Sequence, residues 1–75
     1  MTIGERIKEL RKGKGLTQIE FAKIFNIDKS TIAKYETDKN LPSIPMLIAM
    51  SKYFSVPTDY ILCLIDWLID AQISH

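Results

Sequence analysis

Leu16-Thr17-Gln18-Ile19-Glu20-Phe21-Ala22-Lys23-Ile24-Phe25-Asn26-Ile27-Asp28-Lys29-Ser30-Thr31-Ile32-Ala33-Lys34-Tyr35-Glu36-Thr37 reads as two short helices joined by a tight turn. Thr17 followed by Glu20 is a capping box: hydroxyl and carboxylate each satisfy an amide N–H that the first turn of a helix leaves unpaired. Behind it, Ile19 and Ala22, with Phe21 or Phe25, are expected to turn inward. Asn26 falls where the chain needs a left-handed residue, a conformation Asn tolerates better than most. Asp28 then stands as the cap of a helix over roughly residues 29–37. At 100° per residue that helix has two faces. Lys29, Ser30, Ala33, Lys34 and Thr37 share one arc, and Ile32, Tyr35 and Glu36 are expected on the inner side.

Outward from this pair the punctuation stays clear. Thr2 and Glu5 form another capping box, ahead of Ile3, Ile7 and Leu10 on one face, and Gly13 and Gly15 close that helix. After the loop Asn40-Leu41-Pro42, Ser43 caps a fourth helix with Pro45 in its first turn and Met46, Leu47, Met50 and Phe54 along it. A fifth helix is expected over about 58–71. Strand-like alternation is missing throughout. The expectation is an all-α, five-helix domain over residues 1–75, with a helix-turn-helix at about 17–37.

The bulk composition limits the possibilities. With 75 residues, 47% hydrophobic and 25% charged, the chain has the make-up of one small folded domain and not of a disordered tail. The net charge of +1 hides an asymmetry. Residues 1–40 carry nine Lys/Arg against six acids, net +3, whereas residues 41–75 carry Lys52 against Asp59, Asp66 and Asp70, net −2. One half is thus suited to an anionic partner. A single cysteine, Cys63, forbids an internal disulfide and a thiolate metal site, and it reads as a small core residue. With no signal peptide in view, a cytoplasmic setting is expected. The apolar run at 60–69 is too short for a membrane span and is interrupted by Asp66.

A helix pair joined by a short turn suits a DNA reader, because the first helix braces the second across the duplex backbone. The arc of Lys29, Ser30, Ala33, Lys34 and Thr37 is short enough to enter a major groove and carries donors for base edges. The run 16–22, then Ile27-Asp28-Lys29-Ser30-Thr31-Ile32, then Tyr35-Glu36 and Pro42-Ser43 resembles the Xre family, the phage-repressor and Cro type of helix-turn-helix regulator. The resemblance spans residues 3 to about 62. It implies that Gln18 bonds a phosphate and steadies a recognition side chain. It also implies that Thr17, Tyr35, Lys39 and Asn40 touch the sugar-phosphate backbone, and that Lys29, Ser30 and Lys34 sit at base-reading positions. Lys29 and Lys34 are open to phosphate contact as well, or to a solvated face. Arg11 and Glu36 match an ion pair linking helix one to the end of helix three. The sequence departs from the family pattern at Asn26, where Gly is usual, and at Thr37-Asp38, where the pair usually ends in Gly, which leaves the exit of helix three open to difference.

Nine of the ten residues 60–69 are apolar. On a helical wheel Ile61, Leu64, Ile65 and Leu68 form a core stripe, with Leu62 and Ile69 on one flank and Trp67 on the other. That arc is wider than a surface helix of so small a domain needs. A homodimer through Leu62, Ile65, Trp67 and Ile69 is therefore expected, the alternative being that Trp67 folds back over helix four. Asp66 and Asp70 read as a solvated stripe, and terminal His75 as a free end. An enzyme is not expected: there is no zinc spacing, no nucleophile-base set and no phosphate loop, and Gly13-Lys14-Gly15 ends a helix. No cofactor or metal is expected. The function that follows is regulation of transcription by a homodimer on double-stranded DNA, acting as a repressor on an inverted-repeat operator. The alternative is an antitoxin-like protein-interaction module that autoregulates its promoter.

Overall fold

The computed structural model describes residues 1–65. It is all-helical there: α1 Ile3–Gly13, α2 Gln18–Ile24, α3 Lys29–Glu36, α4 Ile44–Phe54 and α5 Thr58–Ile61. Both capping boxes are formed, Thr2 with Glu5 and Thr17 with Glu20. The Thr17 amide and hydroxyl, both bonded to Glu20, hold the Glu20 carboxyl below its usual range. Ser43 caps α4 by accepting from the Met46 amide. Asp28 stands at the start of α3, but its carboxylate makes no capping bond, a correction to the expected cap.

Every one of these helices stops in the same way. One residue takes positive φ: Gly15 (71°), Asn26 (55°), Asp38 (62°), Ser55 (56°) and Cys63 (61°). The following amide folds back to the carbonyl five residues earlier: Leu16 to Arg11, Ile27 to Ala22, Lys39 to Lys34, Val56 to Ser51 and Leu64 to Asp59, at 2.8–3.2 Å. This double-bonded end satisfies carbonyls that a frayed helix would leave to water. Four of the five left-handed positions therefore carry a side chain where glycine is cheapest.

Each helix contributes one fully buried large side chain: Ile7, Phe21, Ile32, Met50 and Ile61. Ala22, Tyr35, Leu47 and Phe54 complete the core, and Phe21 meets Phe25 edge to face and Phe54 at a tilt, 5.1 and 5.6 Å between centroids. Ile19, expected inside, is 52% exposed. It lies about 110° around α2 from the centre of the arc set by Phe21, Ala22 and Phe25.

The fifth helix also corrects the sequence reading. The chain leaves it at Cys63, whose amide bonds Tyr60 while that of Leu64 bonds Asp59, so no single helix runs over 58–71. Leu64, placed in the core by periodicity, is 70% exposed as a result. Cys63 is half-buried, its thiol 3.5 Å from the Thr2 carbonyl, and not a core residue. Trp67, Leu68, Ile69, the Asp66/Asp70 stripe and His75 lie outside the described residues.

The start of α1 is fastened to the exit of α3. Gly4 lies against the end of α3, where a Cβ would collide with the Tyr35 carbonyl and come 2.8 Å from that of Glu36. Asp38 accepts from the Gly4 amide at 2.8 Å and from the Thr2 hydroxyl at 2.6 Å. The exit of α3 thus keeps the left-handed backbone a glycine would give it, and adds a side-chain cap on α1. Two substitutions separate these effects. Ser55→Gly, at an exposed side chain, should stabilise the fold by about 1 kcal/mol. Asp38→Gly should gain nothing or destabilise, because it removes both bonds to α1. Thermal melts of the two variants beside the parent check this.

Candidate nucleic-acid interface

The turn at residues 25–28 sets α2 against α3, and three residues of α3 point into the protein: Ile32, Tyr35 and Glu36 are all buried. The opposite face carries Lys29, Ser30, Lys34 and Thr37, exposed, with Ala33 half-buried between them. Ala33 brings the backbone near the surface, so a groove wall can approach α3 closely there. Thr37 spends its hydroxyl proton on the Ala33 carbonyl at 2.8 Å. Beyond α3, the amides of Lys39 and Asn40 both bond the Lys34 carbonyl, at 2.9 and 3.2 Å. This keeps both exposed side chains beside the end of α3. Thr17 is exposed and Gln18 half-buried at the start of α2. Tyr35 differs from the other backbone-contact candidates: at 9% exposure it belongs to the core, as its place opposite Lys29 and Ser30 on the helix dictates.

Beneath this surface lies a polar network. Arg11 Nε donates to Glu36 Oε2 at 2.6 Å, and Arg11 Nη2 to Glu36 Oε1 at 3.1 Å, a two-pronged pair. Arg11 Nη1 reaches the Leu16 carbonyl at 2.7 Å, and Gln18 Nε2 donates to Glu36 Oε1 at 3.1 Å. The pair is nearly dry, its side chains 9% and 3% exposed. It joins α1, the α1–α2 loop, the first turn of α2 and the last of α3.

The basic half of the chain is also redrawn. Arg6 is buried: its Nη1 donates to the Tyr60 carbonyl at 2.8 Å, its guanidinium lies 3.8 Å over the Tyr60 ring, and its Nε faces the Met1 sulfur and Glu9. With Arg11 also buried, seven lysines (8, 12, 14, 23, 29, 34 and 39) make up the exposed positive charge of residues 1–40. Lys14 sits 5.4 Å over the Tyr53 ring. Sequence reading missed Arg6, Asp38 and the Gln18–Glu36 bond. A wheel of α1 holds a trace of the first, for Arg6 and Arg11 flank the Ile3-Ile7-Leu10 stripe on either side. The other two join residues far apart in sequence and left no local signal.

A short brace helix, a tight turn and a second helix with a small, cationic outer face define a helix-turn-helix DNA-binding domain. The helix-turn-helix family HTH_3 matches residues 7–61. The chain belongs to that family and is of the Xre type. It is 39% identical over 62 residues to the HTH-type transcriptional regulator ImmR of Bacillus subtilis (strain 168), covering 83% of this chain and 49% of the relative. It is 37% identical over 62 residues to the HTH-type transcriptional activator BcrR of Enterococcus faecalis, covering 83% and 30%. It is 41% identical over 51 residues to the immunity repressor protein of Bacillus phage phi105, covering 68% and 35%. The chain thus spans half or less of the length of these curated relatives. Among the described residues no helix is long and apolar enough to cross a membrane.

Arg11→Ala or Glu36→Ala leaves a buried charge without its partner, which costs about 3–5 kcal/mol. Each substitution should lower the melting temperature of the free protein well before any DNA is added. An unchanged melt would show that the pair carries no weight in the fold.

Proposed function

We propose that the protein is a transcriptional repressor that binds an inverted-repeat operator as a homodimer in the cytoplasm and blocks transcription there. The observation that carries this reading is the outer face of α3. Lys29, Ser30 and Lys34 offer donors to base edges, Ala33 permits close approach, and Thr17, Gln18, Lys39 and Asn40 flank the helix to hold the backbone on either side. Thr37 extends the same face, while Tyr35 takes part at most through its edge. Selection of duplexes from a random-sequence pool tests the reading: it should return one motif with two-fold symmetry. Recovery of unrelated sequences would overturn it.

Affinity for duplex DNA should fall steeply with salt, each neutralised phosphate adding about −0.9 to the log–log slope. Among the described residues the outer face of α3 carries no exposed aromatic ring on which unpaired bases could stack, so single strands should bind more weakly. Gel-shift titrations of matched duplex and single strand at several salt concentrations measure both. Equal affinities would contradict the groove-reading assignment.

Two half-sites about one helical turn, some 34 Å, apart let one contact make the next effectively intramolecular, which offsets the few base contacts of each α3. For the dimer itself we assign the apolar stretch from Leu62 onward, with Ile65, Trp67 and Ile69. Its support is exposed apolar surface at Leu64 together with the net negative charge of residues 41–75. Leu62 is half-buried against its own core, so it is a poor probe. Trp67→Glu should instead give a folded monomer with much weaker operator affinity. Sedimentation at micromolar concentration reads this, and a parent protein that sediments as a monomer at all concentrations would contradict the dimer.

A further inference from the structure

We infer that Glu36 is a positioning residue for DNA binding, holding one N–H of the Gln18 carboxamide so that its second N–H is kept in place for the duplex. The inference rests on the proposed contact between Gln18 and DNA, and deepens it. A carboxylate has no proton to give, so only the Nε2 end of the Gln18 carboxamide can meet Glu36 Oε1, at 3.1 Å. That fixes which end of an otherwise ambiguous side chain points inward. One N–H of Nε2 is held by Glu36, leaving the second N–H and Oε1 for the surface, where Gln18 remains partly exposed. Glu36 is itself anchored: Arg11 grips both of its oxygens and bonds in turn to the Leu16 carbonyl. Gln18 is a long side chain with three rotatable bonds, and ordering it at the moment of binding would weaken the contact. Held in advance, the remaining N–H meets a phosphate oxygen with little further loss of freedom. The buried pair therefore acts on DNA affinity through a side chain on a different helix, beyond its role as a fastener.

The test must break the Gln18 tether without unfolding the domain. Replacing a buried ion pair by apolar side chains of similar volume is often neutral for stability, so the doubly substituted Arg11→Met, Glu36→Met protein removes the acceptor and leaves neither charge of the pair unpartnered. Affinity is read on a duplex selected from a random-sequence pool, with circular dichroism confirming the fold. Gln18→Ala should weaken binding about tenfold, as for one hydrogen bond to a charged group. The double-methionine protein should lose a similar factor, and Gln18→Ala added to it should cost nothing more. If the double-methionine protein binds like the parent while Gln18→Ala weakens binding, Glu36 only fastens helices and the inference falls, with the Gln18 contact intact. Fully additive losses overturn it as well. If Gln18→Ala alone changes nothing, the contact itself fails and the inference with it. Should the double variant not fold, nitrogen-15 relaxation of the unmutated protein decides. The Gln18 side-chain amide should be as ordered as the backbone, and a group as mobile as that of exposed Asn40 would overturn the inference.

Discussion

The guanidinium of Arg11 and the carboxylate of Glu36 meet in a nearly dry site, and much of the domain is arranged around keeping them satisfied. Two charges removed from water are stabilising only when geometry is good and every remaining donor and acceptor is matched. Here the fork between the two is supplemented by the Leu16 carbonyl on one side and the Gln18 amide on the other. Among the described residues no buried side-chain nitrogen or oxygen lacks a partner. The pair fixes how α1, α2 and the end of α3 sit together, which an apolar contact of the same size would specify less strictly. A helix that must enter a groove needs that angle set before DNA arrives.

Around this point the domain is economical. One fully buried large side chain per helix, five in all among the described residues, is a thin core, and a chain of this size buries only about 60% of its extended surface. The ends of the helices share the work. Each is closed by a left-handed residue whose next amide returns to the preceding turn, so five short helices avoid fraying without long loops. Asp38 does more, since the same residue that ends α3 caps the first turn of α1. Gly4 makes that approach possible, because any side chain there would strike the α3 carbonyls.

What could be read from the sequence was what short-range chemistry encodes. The two Thr-x-x-Glu caps, the Ser43 cap, the left-handed Asn26 and the two faces of α3 all follow from residues within a turn of one another. Periodicity misled where the backbone changes course, because the apolar pattern through 60–69 carries no sign of positive φ at Cys63. It misled again at Ile19, which lies two and three residues from the core side chains Phe21 and Ala22 but points away from them. Arg6 was counted as surface charge because arginine usually is, although its place at the edge of the α1 stripe allowed burial against Tyr60. Asp38 and the Gln18–Glu36 bond link residues 18–36 positions apart, which only the folded chain brings together.

The account makes α3 the reading element, with the start of α2 and the loop at Lys39 and Asn40 as its flanking clamps. Amide chemical-shift mapping during titration with a selected duplex tests that assignment most directly. The largest changes should fall at residues 17–18, 29–34 and 39–40, while residues of α4 and α5 facing away from α3 stay in place. Changes centred on α4 and α5, with α3 unmoved, would contradict it.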